Sequence, residues 1–233
     1  MDKVYIVKHA ASPPDLDGAW ESRSWAAAEV VEIAQFHPRS SDHRPRVQAR
    51  LLYDRSGISV FFRVADRYVR SVATRYLDCV CTDSCVECFL EPKSGAGYFN
   101  FEANGGGTFL IYYIEDPART PGGFRKYTPV RADLAAAMPV RHSLPATVDP
   151  ELPGPVEWTL RYTIPWALFE AYVGPLGPVA GQVWRGNFFK CADATSHPHW
   201  AAWAAIGEEL NFHQPRYFGE IRFAEGTAAD GFA

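Results

Sequence analysis

The sequence predicts an all-β fold, an antiparallel β-sandwich of the jelly-roll type with one or two short helices. Three observations predict it. Short segments alternate apolar and polar residues with period two, the pattern of strands with one buried face. Clusters of turn residues separate them, drawn from 18 Gly and 18 Pro. Aromatic residues reach 14%, with 7 Trp, 11 Tyr and 15 Phe, types that pack well on pleated surfaces. A chain of 233 residues can form one such domain and bury a core that needs no staples. We read residues 1–225 as that domain and residues 226–233, small and polar, as a disordered tail.

The first clear element is a hairpin. Val47, Ala49, Leu51 and Tyr53 alternate with polar neighbours, Asp54-Arg55-Ser56-Gly57 turns the chain, and residues 58–64 return. Further strands are expected over residues 86–90, 98–103, 108–114, 157–164, 184–190 and 219–223, with turns at Lys93-Ser94-Gly95, Asn104 to Gly107 and Pro121-Gly122-Gly123. Pro165 suits the start of a helix over residues 166–172, which Gly174 ends. Residues 26–33 fit either type, with Val30, Val31 and Ile33 favouring strand, and residues 67–77 stay ambiguous. Residues 145–155, with four prolines, read as one long loop.

Composition excludes several function classes. The formal net charge of −4 gives no electrostatic reason to bind nucleic acid or an anionic membrane. No apolar run reaches the roughly 18 residues a membrane-spanning helix needs. Val4 to Val7 is too short for the apolar part of a signal peptide, so the expected location is the cytoplasm. The five cysteines are Cys79, Cys81, Cys85, Cys88 and Cys191, an odd number that argues against full disulfide pairing. Four of them lie within ten residues, but C-x-C-x3-C-x2-C lacks a second cluster, and Cys85 and Cys88 fall on opposite strand faces. Reduced cysteines acting as small buried hydrophobes are the expectation.

Polar residues interrupt three strands. Tyr98, Asn100, Glu102 and Asn104 share one face of theirs, opposite Phe99, Phe101 and Ala103. Glu87 sits between Cys85 and Phe89 on a second strand, and Lys190 shares a face with Phe188 on a third. If these strands are neighbours, Glu87, Glu102, Asn104 and Lys190 share one polar sheet face, which is either a solvated surface or a hydrogen-bonding site. The carboxylate pair also fits a glycoside hydrolase or lyase. A nearby Lys190 would keep both carboxylates ionised, which favours binding hydroxyl groups over acid catalysis. Two late loops are aromatic: His197-Pro198-His199-Trp200-Ala201-Ala202-Trp203, and Asn211-Phe212-His213-Gln214-Pro215. Their rings suit a sugar platform, with sandwich core as the competing role for Trp200 and Trp203. His197 and His199 read as loop histidines rather than metal ligands. No G-x-S-x-G, P-loop or dinucleotide motif occurs.

Read in order, several short motifs resemble the stand-alone carbohydrate-binding module family 9-like proteins of bacteria. They are Asp17-Gly18-x-Trp20, Val64-x-Asp66, Asp83-Ser84-Cys85-Val86-Glu87, Tyr98-Phe99-Asn100-Phe101-Glu102-x-Asn104 and Trp158-x-Leu160 to Ile164-Pro165, followed by Trp184 to Cys191, Pro198-His199 and Phe212-His213-x-Pro215 to Phe218-Gly219. The resemblance covers about residues 15–223. It implies a jelly-roll sandwich related to DOMON-like domains, with non-catalytic carbohydrate binding and a saccharide as partner. In xylanase-attached members two Trp sandwich a terminal sugar while polar strand residues take its hydroxyls. Carried over, Glu87 matches a binding Glu and Asn104 an Asn, Glu102 falls where the family has an Arg, and Lys190 falls near a Gln. One sandwiching Trp aligns with Cys81 and the other with Phe212, leaving Trp200 or His199 as a replacement wall. The resemblance requires no cofactor beyond a structural calcium, for which Asp66 and Asp83 are the candidate ligands. Some sister domains bind haem through Met, but this chain has only Met1 and Met138, so no haem is expected.

Overall fold

A computed structural model describes residues 3–225. The 226–233 tail, expected to be disordered, lies outside the described residues. The architecture is the predicted β-sandwich. In one sheet, Gly123–Pro129, Phe109–Thr120, Tyr98–Asn104, Cys85–Glu91, Val183–Cys191 and Gly219–Phe223 lie in that order. In the other, Arg46–Tyr53, Gly57–Asp66, Val156–Pro165 and Val140–His142 lie side by side.

The strand Val4–His9 belongs to both sheets. Its first half pairs in parallel with Gly219–Phe223, from Val4 opposite Glu220 to Val7 opposite Phe223. Its second half pairs in parallel with Arg46–Tyr53, Lys8 opposite Leu52 and His9 opposite Tyr53. The expected hairpin forms, with Tyr53 opposite Ile58. The Asp54 carboxylate closes its turn by accepting hydrogen bonds from the Ser56 and Gly57 amides at 2.6 and 3.3 Å. Gly57 is required there, because a Cβ would stand 2.1 Å from the Ile164 carbonyl oxygen.

Period two explains the core between the sheets. Val47, Ala49, Leu51, Val60, Phe62, Val64, Trp158 and Leu160 face inward from one sheet. Val86, Cys88, Leu90, Phe99, Phe101, Trp184 and Phe188 meet them from the other. The helix Trp166–Val173 caps one edge and places Leu168 and Phe169 in this core. It ends at Gly174, whose φ of 69° an L side chain rarely adopts. Pro165 closes the preceding strand and caps this helix rather than starting it.

Several elements differ from expectation. Residues 145–155 are not all loop: Val148–Leu152 pairs with Val69–Ser71 as a separate two-stranded sheet. Residues 26–33 divide into the end of a short helix, Arg23–Ala26, and the strand Val31–Glu32. Trp203, grouped with the platform from sequence, packs in the core edge-on to Phe188 at 5.6 Å. Met138 is buried in the same core. Among the described residues, no helix is long and apolar enough to cross a membrane.

Candidate functional site

The outer face of the six-strand sheet is covered rather than solvated. Phe89, Tyr98, Ile114, Phe189 and Phe218 form a second apolar cluster on it. Phe212 stacks on Phe189 with ring centres 4.2 Å apart and planes 11° from parallel. Beside this cluster opens a cleft of about 240 Å³. Its wall contains Glu87, Glu102, Trp200 and Phe212, four residues expected at the site, together with Arg119, Asp193, Asn211, His213, Cys81 and Cys191.

Register creates the pair at its floor. Glu87 lies directly opposite Glu102 in the antiparallel ladder, where facing Cβ atoms stand about 4.5–5.5 Å apart. Both side chains are buried. Burial, and then the charge of Glu102, push the Glu87 carboxyl well above the ordinary carboxylate range. Its Oε1 accepts from the Cys191 thiol at 3.1 Å, while its Oε2 is buried with no partner. Burial raises Glu102 to about 7, opposed by a hydrogen bond from Asn100 Nδ2 at 2.6 Å and by the charge of Arg119. A carboxyl that keeps its proton both donates and accepts, which matches the double character of a sugar hydroxyl.

The aromatic part comes from the two late loops. Trp200 begins the strand Trp200–Ala202, paired with Val183–Cys191, and its indole N–H donates to Asp193 at 2.7 Å. His213 is held neutral: burial and then Arg119 press it down to about 3, and its Nδ1 sits 2.9 Å from the Tyr98 hydroxyl. Arg119 extends over the Phe124 ring at 4.1 Å, bringing one cation to a cleft otherwise rich in carboxyls.

Lys190, Asn104 and His199 do not line this cleft. Lys190 lies opposite Val86, one position out of step with Glu87, so it faces the sandwich interior. Its Nζ donates to the Cys191 carbonyl at 3.0 Å and to His199 Nε2 at 2.9 Å, and stands 3.6 Å from Asp66 Oδ2. Burial, with Lys190 second, holds His199 near 3, so its Nε2 is free to accept and its Nδ1 donates to the His197 carbonyl at 2.9 Å. Asn104 lies on the same face as Glu102 but serves a turn. It donates to the Ala73 carbonyl and to Asp83 Oδ2, both at 2.9 Å, and accepts from the Thr108 amide.

Asp66 and Asp83 do not suit calcium, which asks for six to eight oxygen ligands. Asp66 meets nitrogen donors instead: His43 at 2.7 Å, the Arg67 amide at 2.8 Å, Trp158 at 3.2 Å, and the Lys190 ammonium. His43 and His199 also lie within reach of a shared ion with Asp66, but Lys190 already supplies the positive charge there. Asp83 accepts from the Val72 and Ala73 amides, Asn104 and Arg70.

Sequence reasoning missed Arg119, Asp193 and Cys191 as cleft residues, whereas the family resemblance had already set Cys81 at the position of a sandwiching Trp. Only the loop holding His213 and Asn211 was singled out. Arg119 and Asp193 carried no local signal, because one is at the end of a long strand and the other is in a turn.

A β-sandwich with a carboxyl pair beneath an aromatic-edged cleft defines the class: a ligand-binding module built on a sheet face. The chain belongs to carbohydrate-binding family 9, whose signature matches residues 22–223. A structure from Bacteroides uniformis, described as a candidate carbohydrate-binding protein, is 26% identical, with a TM-score of 0.82 over 96% of this chain and 100% of that one. A family 9 module from Caldicellulosiruptor kristjanssonii in complex with cellotriose is 15% identical, with a TM-score of 0.61 over 99% and 98%. A family 9 module from the same organism in complex with glucose is 14% identical, with a TM-score of 0.59 over 97% and 97%. No curated protein sequence matches the chain.

Proposed function

We propose that this chain is a non-catalytic binder of saccharides that takes one sugar end in the cleft above Glu87 and Glu102. The observation that carries the reading is the unpartnered, buried Glu87 Oε2 at a cleft edged by Trp200 and Phe212. The carboxyls meet hydroxyl groups, and the rings pack against the apolar C–H face of a pyranose. The cleft, at about 240 Å³, is below the roughly 300–1,000 Å³ of sites for drug-sized ligands. It therefore suits a chain terminus rather than a length of polysaccharide. Family membership supports the ligand class, and the cellotriose and glucose complexes of family 9 modules from Caldicellulosiruptor kristjanssonii make glucose-based saccharides the first candidates.

Hydrolysis is less well served. A glycosidase sets its two carboxyls on either side of the bond to be cut. Here both rise from adjacent strands of one sheet face. Calorimetric titration with glucose and cello-oligosaccharides, preceded by a glycan screen, tests the proposal. Phe212→Ala and Glu87→Ala should each weaken binding about tenfold or more, with no release of reducing sugar. Absence of binding to every glycan, or full affinity in both variants, refutes it.

A further inference from the structure

Two thiols stand beside the same Glu87 that the saccharide reading uses, at and just beneath the cleft floor. Cys85 and Cys191 face each other across adjacent strands, and Glu87 is two residues along from Cys85 on the same face. One donor atom from each of the three, two thiol sulfurs and a carboxylate oxygen, lies within 4.8 Å of the others. The Cys191 sulfur is already 3.1 Å from Glu87 Oε1, and Glu87 Oε2 has no partner. Cys81 lines the same cleft as Cys191 and Glu87.

We propose that Cys85, Glu87 and Cys191 form a binding site for a thiophilic divalent cation, Zn²⁺ foremost, with its fourth position toward the cleft beside Cys81. Zinc–sulfur bonds of about 2.3 Å and zinc–oxygen bonds of about 2.0–2.2 Å place tetrahedral ligands roughly 3.5–4 Å apart, a spacing that donor atoms all within 4.8 Å of one another can reach with small side-chain shifts. Two sulfurs favour zinc over calcium or magnesium, which take oxygen ligands. Binding releases the two thiol protons and the Glu87 proton to solvent, leaving three anionic ligands around the ion. Burial opposes each of those charges in the free protein, and the cation compensates them. The sequence hides this set. The four cysteines crowded at residues 79–88 separate, with Cys88 in the sandwich core and Cys79 exposed, while the distant Cys191 joins Cys85.

The site stands independently of the saccharide reading, although both use Glu87. The test is titration of the reduced, chelator-treated full chain with Co²⁺, followed by displacement with Zn²⁺. One equivalent of cobalt should produce a thiolate-to-metal charge-transfer band and the intense visible bands of tetrahedral cobalt, and zinc should abolish both. Competition against a chromophoric chelator should show Zn²⁺ affinity at least tenfold weaker in Cys191→Ser and in Glu87→Gln, and unchanged in Cys88→Ser. Circular dichroism confirms that each variant is folded, and the parent spectrum decides the matter even if one variant is not. A parent protein without the charge-transfer band overturns the proposal. So does a band that survives Cys191→Ser but disappears in Cys79→Ser, which would assign the metal to the exposed Cys79 and its half-buried neighbour Cys81. Saccharide binding is measured separately on metal-free protein, so either reading can fail alone.

Discussion

Replacing Lys190 with Met keeps most of the length and the apolar stem of the side chain and removes its charge together with its hydrogen bonds to the Cys191 carbonyl and His199. In the parent, both the Lys190 and Asp66 side chains are 0% exposed. Burial works against an ionised Asp66, yet Lys190, His43 and His199 hold its carboxyl well below the ordinary range. Removing one partner of a buried ion pair costs about 3–5 kcal/mol, because the other charge stays behind. Asp66 retains His43, Trp158 and the Arg67 amide, so the lower end, about 3 kcal/mol, is expected. For a domain of this size, roughly 2–4 °C of melting temperature per kcal/mol makes that a fall of about 6–12 °C. Urea unfolding and calorimetry measure it. Adding Asp66→Asn to Lys190→Met should recover at least about 1 kcal/mol, since the uncompensated charge is then gone. Saccharide affinity below the melting point should stay within about twofold, because Lys190 faces away from the cleft. A loss under about 1 kcal/mol, or intact stability with lost binding, would refute the placement of Lys190 as a core ion-pair residue.

Asp83→Asn should cost about 2–4 kcal/mol in urea unfolding, because a neutral amide would face four N–H donors arranged for a carboxylate. Only a change of under about 1 kcal/mol would contradict that account. His213, neutral in the fold with a value near 3 against 6.5 when unfolded, makes the unfolded chain the greater proton binder between those values. Stability from this residue is therefore lost as pH falls below 6.5, by roughly 1.4 kcal/mol per pH unit. Glu102 has the opposite sign: raised to about 7 from 4.5, its contribution is full below 4.5 and lost as pH rises through 7. The two offset each other between pH 4.5 and 6.5, so the parent should be nearly flat there with respect to this pair. His213→Gln should instead gain stability relative to the parent as pH falls from 6.5 toward 4, and parallel pH profiles would count against it.

Lys190 shows where reading from sequence stops. Period two correctly put it on the face of Phe188, just as it put Glu102 opposite Phe101. Parity within a strand is local chemistry. Parity between strands depends on register, and a one-residue offset turns Lys190 opposite Val86 instead of Glu87. The Glu87–Glu102 pair was legible because a short hairpin connects their strands, which leaves few registers open. The strand Val4–His9 has no comparable signal, because its partners come from distant parts of the chain. Val148–Leu152 was hidden by Pro150 within it and the prolines on either side, and an isolated two-stranded pair tolerates such a residue. Family resemblance placed Glu87 and Phe212 at the cleft. It did not indicate that Asn104 would be used by the Asp83 loop or that Arg119 would bring a guanidinium from another strand.

The strand shared by the two sheets also bears on mechanics. Val4–Val7 and Glu220–Phe223 run in the same direction, so the described chain enters at one end of this pair and leaves at the other. Tension applied through the two ends pulls these strands past each other lengthwise. Their evenly spaced hydrogen bonds then share the load and must rupture together, whereas bonds peeled from one end would fail one at a time. The same strand also joins Arg46–Tyr53, so slippage at this seam opens both layers at once. The fold is therefore built to stay closed under stretching along the axis of its end strands.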